Sequence, residues 1–284
     1  MLQYFINNRY KPTFVRGYEP KLEYFCKVDE DSSTMPRALH MHKNLVEILL
    51  VYEGTGIYTI DQNKYIAKKG DLIFYNSGVV HDEFCGQGTS KLSTYCLAIS
   101  NLQLPNLERN KIISDKYSPI VNSDEYFDEL LHLCEFIKYN FDIKDTKIDE
   151  FSNYLARAFV VKASTIIAKN AILKQIREDS LATKIKKYID VNYSENISLN
   201  SIAKAVNANK FYLSHMFKSE TGFSPMQYVV RRRIGEAQNL LINTDMNITH
   251  IAASVGYNNS NYFQNAFRDN VGLTPGEYRK KWKL

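Results

Sequence analysis

In the run Gly256 to Arg279, GYNNSNYFQNAFRDNVGLTPGEYR, the residues Asn261, Gln264, Asn265 and Arg268 recur at steps of three and four. Phe263, Ala266 and Phe267 interleave with them, so a helix here buries the aromatic set and turns the polar set outward. An earlier segment repeats the arrangement, with Leu213, Met216 and Phe217 inward and Phe211, Ser214, His215 and Lys218 outward. Such faces offer recognition chemistry rather than catalysis. In the major groove of duplex DNA, Asn and Gln pair bidentately with adenine, Arg and Lys pair with guanine, and a ring such as Phe211 can lie against a thymine methyl. One polar helix face alone is what any solvated helix presents. Two faces with matching inward residues, in a basic region, ask for a polyanionic partner.

The elements that must position these faces are duplicated. The segment from Ser198 matches that from Asn247 through Leu199 with Ile248, Ile202 with Ile251, Ala203 with Ala252, Val206 with Val255, Tyr212 with Tyr262, Phe217 with Phe267, Gly222 with Gly272 and Pro225 with Pro275. Ser198 and Asn247 are N-cap types, and Ala203 and Ala252 are small enough for a second helix to cross closely. Asn207 and Gly256 suit a turn at positive φ. Gly222 and Gly272 are C-terminal caps, and Ser224-Pro225-Met226-Gln227 and Thr274-Pro275-Gly276-Glu277 read as capping boxes with Pro at the first helical position. Each copy is therefore predicted as helix, turn, helix, over about 198–222 and 247–272.

The chain has 284 residues, 44% hydrophobic and 24% charged, which is a globular composition with room for more than one core. Residues 181–284 hold 14 Lys and Arg against 7 Asp and Glu, whereas the preceding residues are slightly acidic. Cys26, Cys85, Cys96 and Cys134 lack the spacing of a zinc or redox motif, so reduced thiols are expected. No apolar run approaches the ~20 residues of a membrane span and no signal peptide opens the chain, so a cytoplasmic location is expected.

Residues 181–284 resemble the DNA-binding domain of the AraC family of bacterial transcription regulators. The likeness is carried by Ile248, Ile251-Ala252, Gly256-Tyr257, Tyr262-Phe263, Phe267, Gly272, Thr274-Pro275 and Tyr278-Arg279. It implies an all-α domain in which a long helix, Met226 to Leu241, joins two helix-turn-helix units. It also implies double-stranded promoter DNA as partner, with RNA polymerase as a second partner if the regulator activates. The two recognition helices would enter major-groove segments about one helical turn, ~34 Å, apart. Arg268 departs from the family's usual Lys, and the run Arg231-Arg232-Arg233 is expected to be partly structural.

Before that region, residues 36–99 read as short strands: Val46 to Tyr52, a turn at Gly54-Thr55-Gly56, Ile57 to Ile60, a turn at Asp61-Gln62-Asn63, then Gly70 to Phe74, Val79 to Phe84 and Leu92 to Ile99. His40-Met41-His42, Glu47, Gly54, Gly70-Asp71, Gly78 and His81 resemble the two cupin motifs. That resemblance implies an all-β cupin-like barrel in which His40, His42, Glu47 and His81 can hold a divalent metal, Zn, Fe or Mn by donor type. Asn76 stands in place of the motif's usual Pro and Cys85 in place of its closing Asn, and both weigh against a metal. The favoured reading has no cofactor. Arg37, His40, His42, Glu47 and His81 then supply hydrogen bonds to a small effector, a sugar or related metabolite.

Helical periodicity at Asp124 to Phe141 and Asp149 to Lys169 predicts a helical extension, and related regulators use equivalent helices to form homodimers. The expected multidomain layout is 1–122 for the effector-binding barrel, 123–180 for the helical segment and linker, and 181–284 for the DNA-binding domain. A rival reading makes the chain a metal-dependent cupin enzyme on the strength of the four clustered ligand residues alone.

Overall fold

The N-terminal sheet hangs on one strand, β2, which runs sixteen residues from Leu45 to Ile60. The computed structural model describes residues 2–5, 9–29, 39–61, 63–82, 92–143, 148–172 and 180–283. The first half of β2 pairs antiparallel with β4 (Asp71–Tyr75) and β6 (Leu92–Ser100), and its second half with β3 (Asn63–Lys68) and β5 (His81–Asp82). β1 (Lys21–Val28) flanks β6, and β7 (Ile120–Asn122) flanks β4. The turn predicted at Gly54-Thr55-Gly56 is not there. The pairing with β6 instead slips between Val51 and Glu53, and Gly54 sits at φ 83°. A bulge of this kind sharpens the twist without ending the strand, which lets β2 leave one set of partners and join the other. The turn at Asp61 is present, with that residue at φ 57°.

Period-two alternation gives β2 two buried faces. Val46, Ile48 and Leu50 pack with Leu72, Phe74, Leu97 and Ile99 against two helices, α1 (Phe127–Ile143) and α2 (Ile148–Asn170). Leu130, Cys134 and Ile137 of α1 and Phe159, Val160 and Ile166 of α2 fill that core. Phe151, in the first turn of α2, is 45% exposed. Leu49, Val51, Tyr58 and Ile60 face the barrel interior with Ile73, Tyr75 and Cys96. Glu47 lies in register with Leu49 and Val51 on this inner face.

The C-terminal helices form two cores bridged by one helix. The first contains α3 (Leu181–Asn192), α4 (Leu199–Ala205), α5 (Lys210–Thr221) and the start of α6 (Pro225–Asn243). The second contains the end of α6 with α7 (Ile248–Ser254), α8 (Ser260–Val271) and α9 (Pro275–Trp282). The predicted caps are in place. Ser198 and Asn247 accept from the backbone of Ser201 and His250, both capping boxes close on themselves, and Gly222 and Gly272 end their helices at φ 83° and 82°. The linking helix extends slightly beyond both predicted ends.

Two arginines of the basic run are committed to this packing. Arg233 donates to the carbonyls of Tyr193 and Glu195 at 2.7 and 2.8 Å, and its guanidinium lies 5.2 Å from the Tyr257 ring centre. Arg232 has no exposed side-chain surface. It faces Asp190 at 3.6 Å and Glu236 at 3.4 Å and lies over Tyr193 at 4.4 Å. The turn of the second unit presses on this junction, because a methyl group at Gly256 would fall 2.5 Å from the Ser194 carbonyl oxygen.

Gly256→Ala is expected to destabilise the protein by roughly 1–3 kcal/mol, from left-handed strain plus that collision. Gly272→Ala, at φ 82° but with open space around it, should cost less, and denaturant midpoints of the two variants provide the comparison. A second expectation concerns pH. Burial pushes the Asp190 carboxyl up to about 6, against the pull of Arg232 and the Tyr228 hydroxyl. Its folded value lies above its unfolded value, so stability from this group is full at about pH 4 and is lost as pH rises through about 6. Asp190→Asn should flatten that slope in urea titrations taken across the window.

Candidate nucleic-acid interface and sensor pocket

Over residues 211–219 and 261–269 the two recognition helices show the same pattern of burial. Leu213 and Phe217 in α5, and Phe263 and Phe267 in α8, have no exposed surface. Phe211, His215, Lys218, Asn261, Asn265 and Arg268 are exposed, while Ser214 and Gln264 are partly buried at matching positions. All eight residues predicted to read DNA therefore lie on the outward sides of α5 and α8. Asn209 and Asn259 fix where these helices begin, each side chain accepting from two backbone N–H groups of the first turn. Sequence reasoning missed this capping role, although Asn at such a boundary is its ordinary signal. It also gave no role to Tyr212 and Tyr262, which stand 64% and 65% exposed on the same faces. Their spacing was legible, since residues 212, 215 and 218, and again 262, 265 and 268, follow at steps of three.

The second site lies on the inner face of the barrel. Glu47 is wholly buried on β2, and His81 of β5 and His42 direct their Nε2 atoms to its Oε2 at 3.0 and 3.3 Å. His40 holds its ring centre 4.3 Å from that of His81, with the two rings tilted by 56°. The Tyr24 hydroxyl donates to the other oxygen of Glu47, and Cys96 Sγ approaches it at 3.6 Å. Tyr75 stacks on His81 at 3.8 Å, nearly parallel. Burial opposes charge on Glu47, but the imidazoles of His42 and His81 outweigh it and hold the carboxyl well below the usual carboxylate range. Arg37 and Cys85 lie outside the described residues. Asn76, in place of the expected Pro, is a structural clamp: it accepts from Ile112 N at 3.0 Å and donates to Ile113 O at 2.7 Å.

The proton positions follow from the partners. His81 Nδ1 meets the Val79 carbonyl at 3.0 Å, and a carbonyl only accepts, so Nδ1 carries hydrogen. His81 Nε2 must then either carry a second proton toward Glu47 or offer it a lone pair, which a cation between them would relieve. His42 Nε2, His81 Nε2 and Glu47 Oε2 have no hydrogen bond of suitable direction, and one ligand atom from each of His40, His42, Glu47 and His81 falls within 4.8 Å of the others. Three imidazoles and a carboxylate so arranged fit a divalent ion of the Zn, Fe or Mn type.

Comparison with known proteins places both regions. A helix-turn-helix domain model matches residues 202–281 and a cupin domain model residues 27–89. An uncharacterized HTH-type transcriptional regulator, YdiP of Escherichia coli K12, is 28% identical over 100% of this chain and 93% of its own length. The Msm operon regulatory protein of Streptococcus mutans is 25% identical over 82% of this chain and 84% of its own. Among solved structures, the C-terminal domain of AraT from Geobacillus stearothermophilus is 32% identical, covering 38% of this chain and 91% of that one at a TM-score of 0.37. Among the described residues no helix is long and apolar enough to cross a membrane. Both full-length relatives are named as regulators, which removes the enzyme reading. With a cupin domain ahead of a helix-turn-helix domain, the chain belongs to the AraC type of transcription regulators and is not an enzyme.

Proposed function

We propose that this regulator reads a promoter site through Phe211, Ser214, His215 and Lys218 in its first unit and Asn261, Gln264, Asn265 and Arg268 in its second, under control of a small effector held in the barrel. The observation that carries the reading is the burial pattern shared by residues 211–219 of α5 and 261–269 of α8, which turns both polar sets outward from packed cores. Amides, a hydroxyl, an imidazole and two cations match base edges and phosphates. The effector is a sugar or related metabolite, bound by His40, His42, Glu47 and His81 through its hydroxyls, with no cofactor required. Imidazole and carboxylate supply both donors and acceptors for such a ligand. The boundaries 1–122, 123–180 and 181–284 divide effector binding, helical extension with linker, and DNA binding.

The working form is a cytoplasmic homodimer joined through α1 and α2, whose outer surfaces expose Phe136, Tyr139, Ile143, Phe151 and Tyr154. Apolar area of that kind is what a partner subunit covers. RNA polymerase joins as partner where the regulator activates.

Gln264→Ala and Asn265→Ala are each expected to relax base preference in the half-site of the second unit, by about 1–3 kcal/mol if the side chain pairs bidentately with its base. Binding selection from a random duplex pool reads this directly, and unchanged preference in both variants would sink the assignment. For the effector, thermal melts of the chelator-treated full chain should rise with a sugar or small acid and no metal, by about 2.7 kcal/mol at a hundred times the dissociation constant. A rise with divalent cation alone, abolished in His40→Ala and His81→Ala, would replace the sugar reading with a metal-ion one.

A further inference from the structure

A single pair of backbone hydrogen bonds joins two barrel segments that have the pocket on one side and the first helix-turn-helix unit on the other. His40 N donates to the His81 carbonyl at 3.0 Å and His81 N to the His40 carbonyl at 2.9 Å, an isolated antiparallel bridge. Neighbouring side chains on extended backbone point to opposite sides. His40 and His81 turn into the pocket. Their neighbours Leu39 and Val80, only 3% and 6% exposed, are buried instead in the core of the first unit, among Ala182, Ile185, Leu213, Phe217 and Val229, with Met41 packed beside them. Polar contacts reinforce the seam. Arg232 Nη1 donates to the Leu39 carbonyl at 3.4 Å. Arg231, stacked 4.6 Å over Phe223, faces Asp82 at 3.7 Å. Among the described residues, the core of the second unit contains no barrel residue.

We propose that the barrel governs the first helix-turn-helix unit alone, through the His40–His81 bridge, and leaves the second unit independent of what the pocket holds. A ligand that draws the two imidazoles together or apart must move the bridge, and the bridge carries Leu39 and Val80 with it. A close-packed core does not stretch to absorb such a shift; it repacks, which changes how α3 and α5 sit against α6. The proposal rests on the pocket being the effector site, but the seam itself can be tested without any effector.

The test is amide hydrogen exchange on the full chain, comparing residues 199–221 with residues 248–271. Arg231→Ala is expected to speed exchange in the first span by roughly fivefold and leave the second within error. Leu39→Ala with Val80→Ala should do the same more strongly; should that pair fail to fold, Arg231→Ala alone decides the point. Glu47→Gln, a change confined to the pocket, should alter exchange in residues 199–221 but not 248–271, and this effect should vanish when combined with Arg231→Ala. Equal changes in both spans, or none in either, would overturn the proposal. If no sugar, acid or cation raises the melting point while Glu47→Gln still moves only the first span, the effector reading fails and the seam stands.

Discussion

A buried guanidinium holds the molecule's parts in relation. Arg232 lies at the middle of α6 with no exposed surface, where α3, the start of the first unit and the barrel converge. Its charge is divided among Asp190, Glu236, the Tyr193 ring and the Leu39 carbonyl. Each partner comes from a different part of the chain or a different turn of the helix. A buried ion tolerates little loss of partners, since leaving it uncompensated costs about 3–5 kcal/mol. The same need for compensation therefore fixes the α3–α6 crossing and anchors the barrel against α6. Arg233, one residue on, serves the other side by closing the α3–α4 loop and backing the Gly256 turn. Of the three consecutive arginines, two are thus committed to architecture and the third reaches Asp82 across the seam. The basic character of this run is spent inside the protein, and the exposed charge on α5 and α8 comes from other residues, notably Lys218 and Arg268.

The helix-turn-helix half was legible because its signals are local. A capping side chain, a left-handed glycine or a Pro at the first helical turn acts within four residues, so Ser224, Gly222 and Pro225 announce their roles wherever the chain goes afterward. The barrel was legible only in outline. Gly54-Thr55-Gly56 carries a turn's composition, yet a positive-φ glycine serves a bulge as well as a turn, and pairing partners far along the chain decide which. β1 and β3 escaped because their exposed faces interrupt the apolar signal: their burial alternates with no long buried run. Val80 reads as an ordinary strand residue, and Leu39 carries no signal of its own. Nothing in their type shows that the surface covering them belongs to a helix more than a hundred residues later.

The pocket poses a problem of charge that the sequence motif does not reveal. Glu47 is held as a carboxylate at zero exposure, and among the described residues its surroundings offer imidazoles, a phenol and a thiol. Among the described residues, the groups placed to balance that charge are the imidazoles of His42 and His81, or a cation held among the four ligand residues.

Control of one unit rather than two has a consequence for gain. Two linked reading heads bind a double site with an affinity well above either alone, by about 10²–10⁴ when geometry allows both to engage and with no such gain when it does not. A sensor that displaces only α5 need not abolish any contact of α8. It only has to move the first head out of register with its groove, and the avidity of the pair disappears while the second head remains on its half-site. The seam at Leu39, Val80 and Asp82 is small, but it bears on the factor to which bivalent binding is most sensitive, the relative placement of the two helices. A modest difference in effector binding energy at the His40–His81 bridge can therefore appear as a large difference in promoter occupancy.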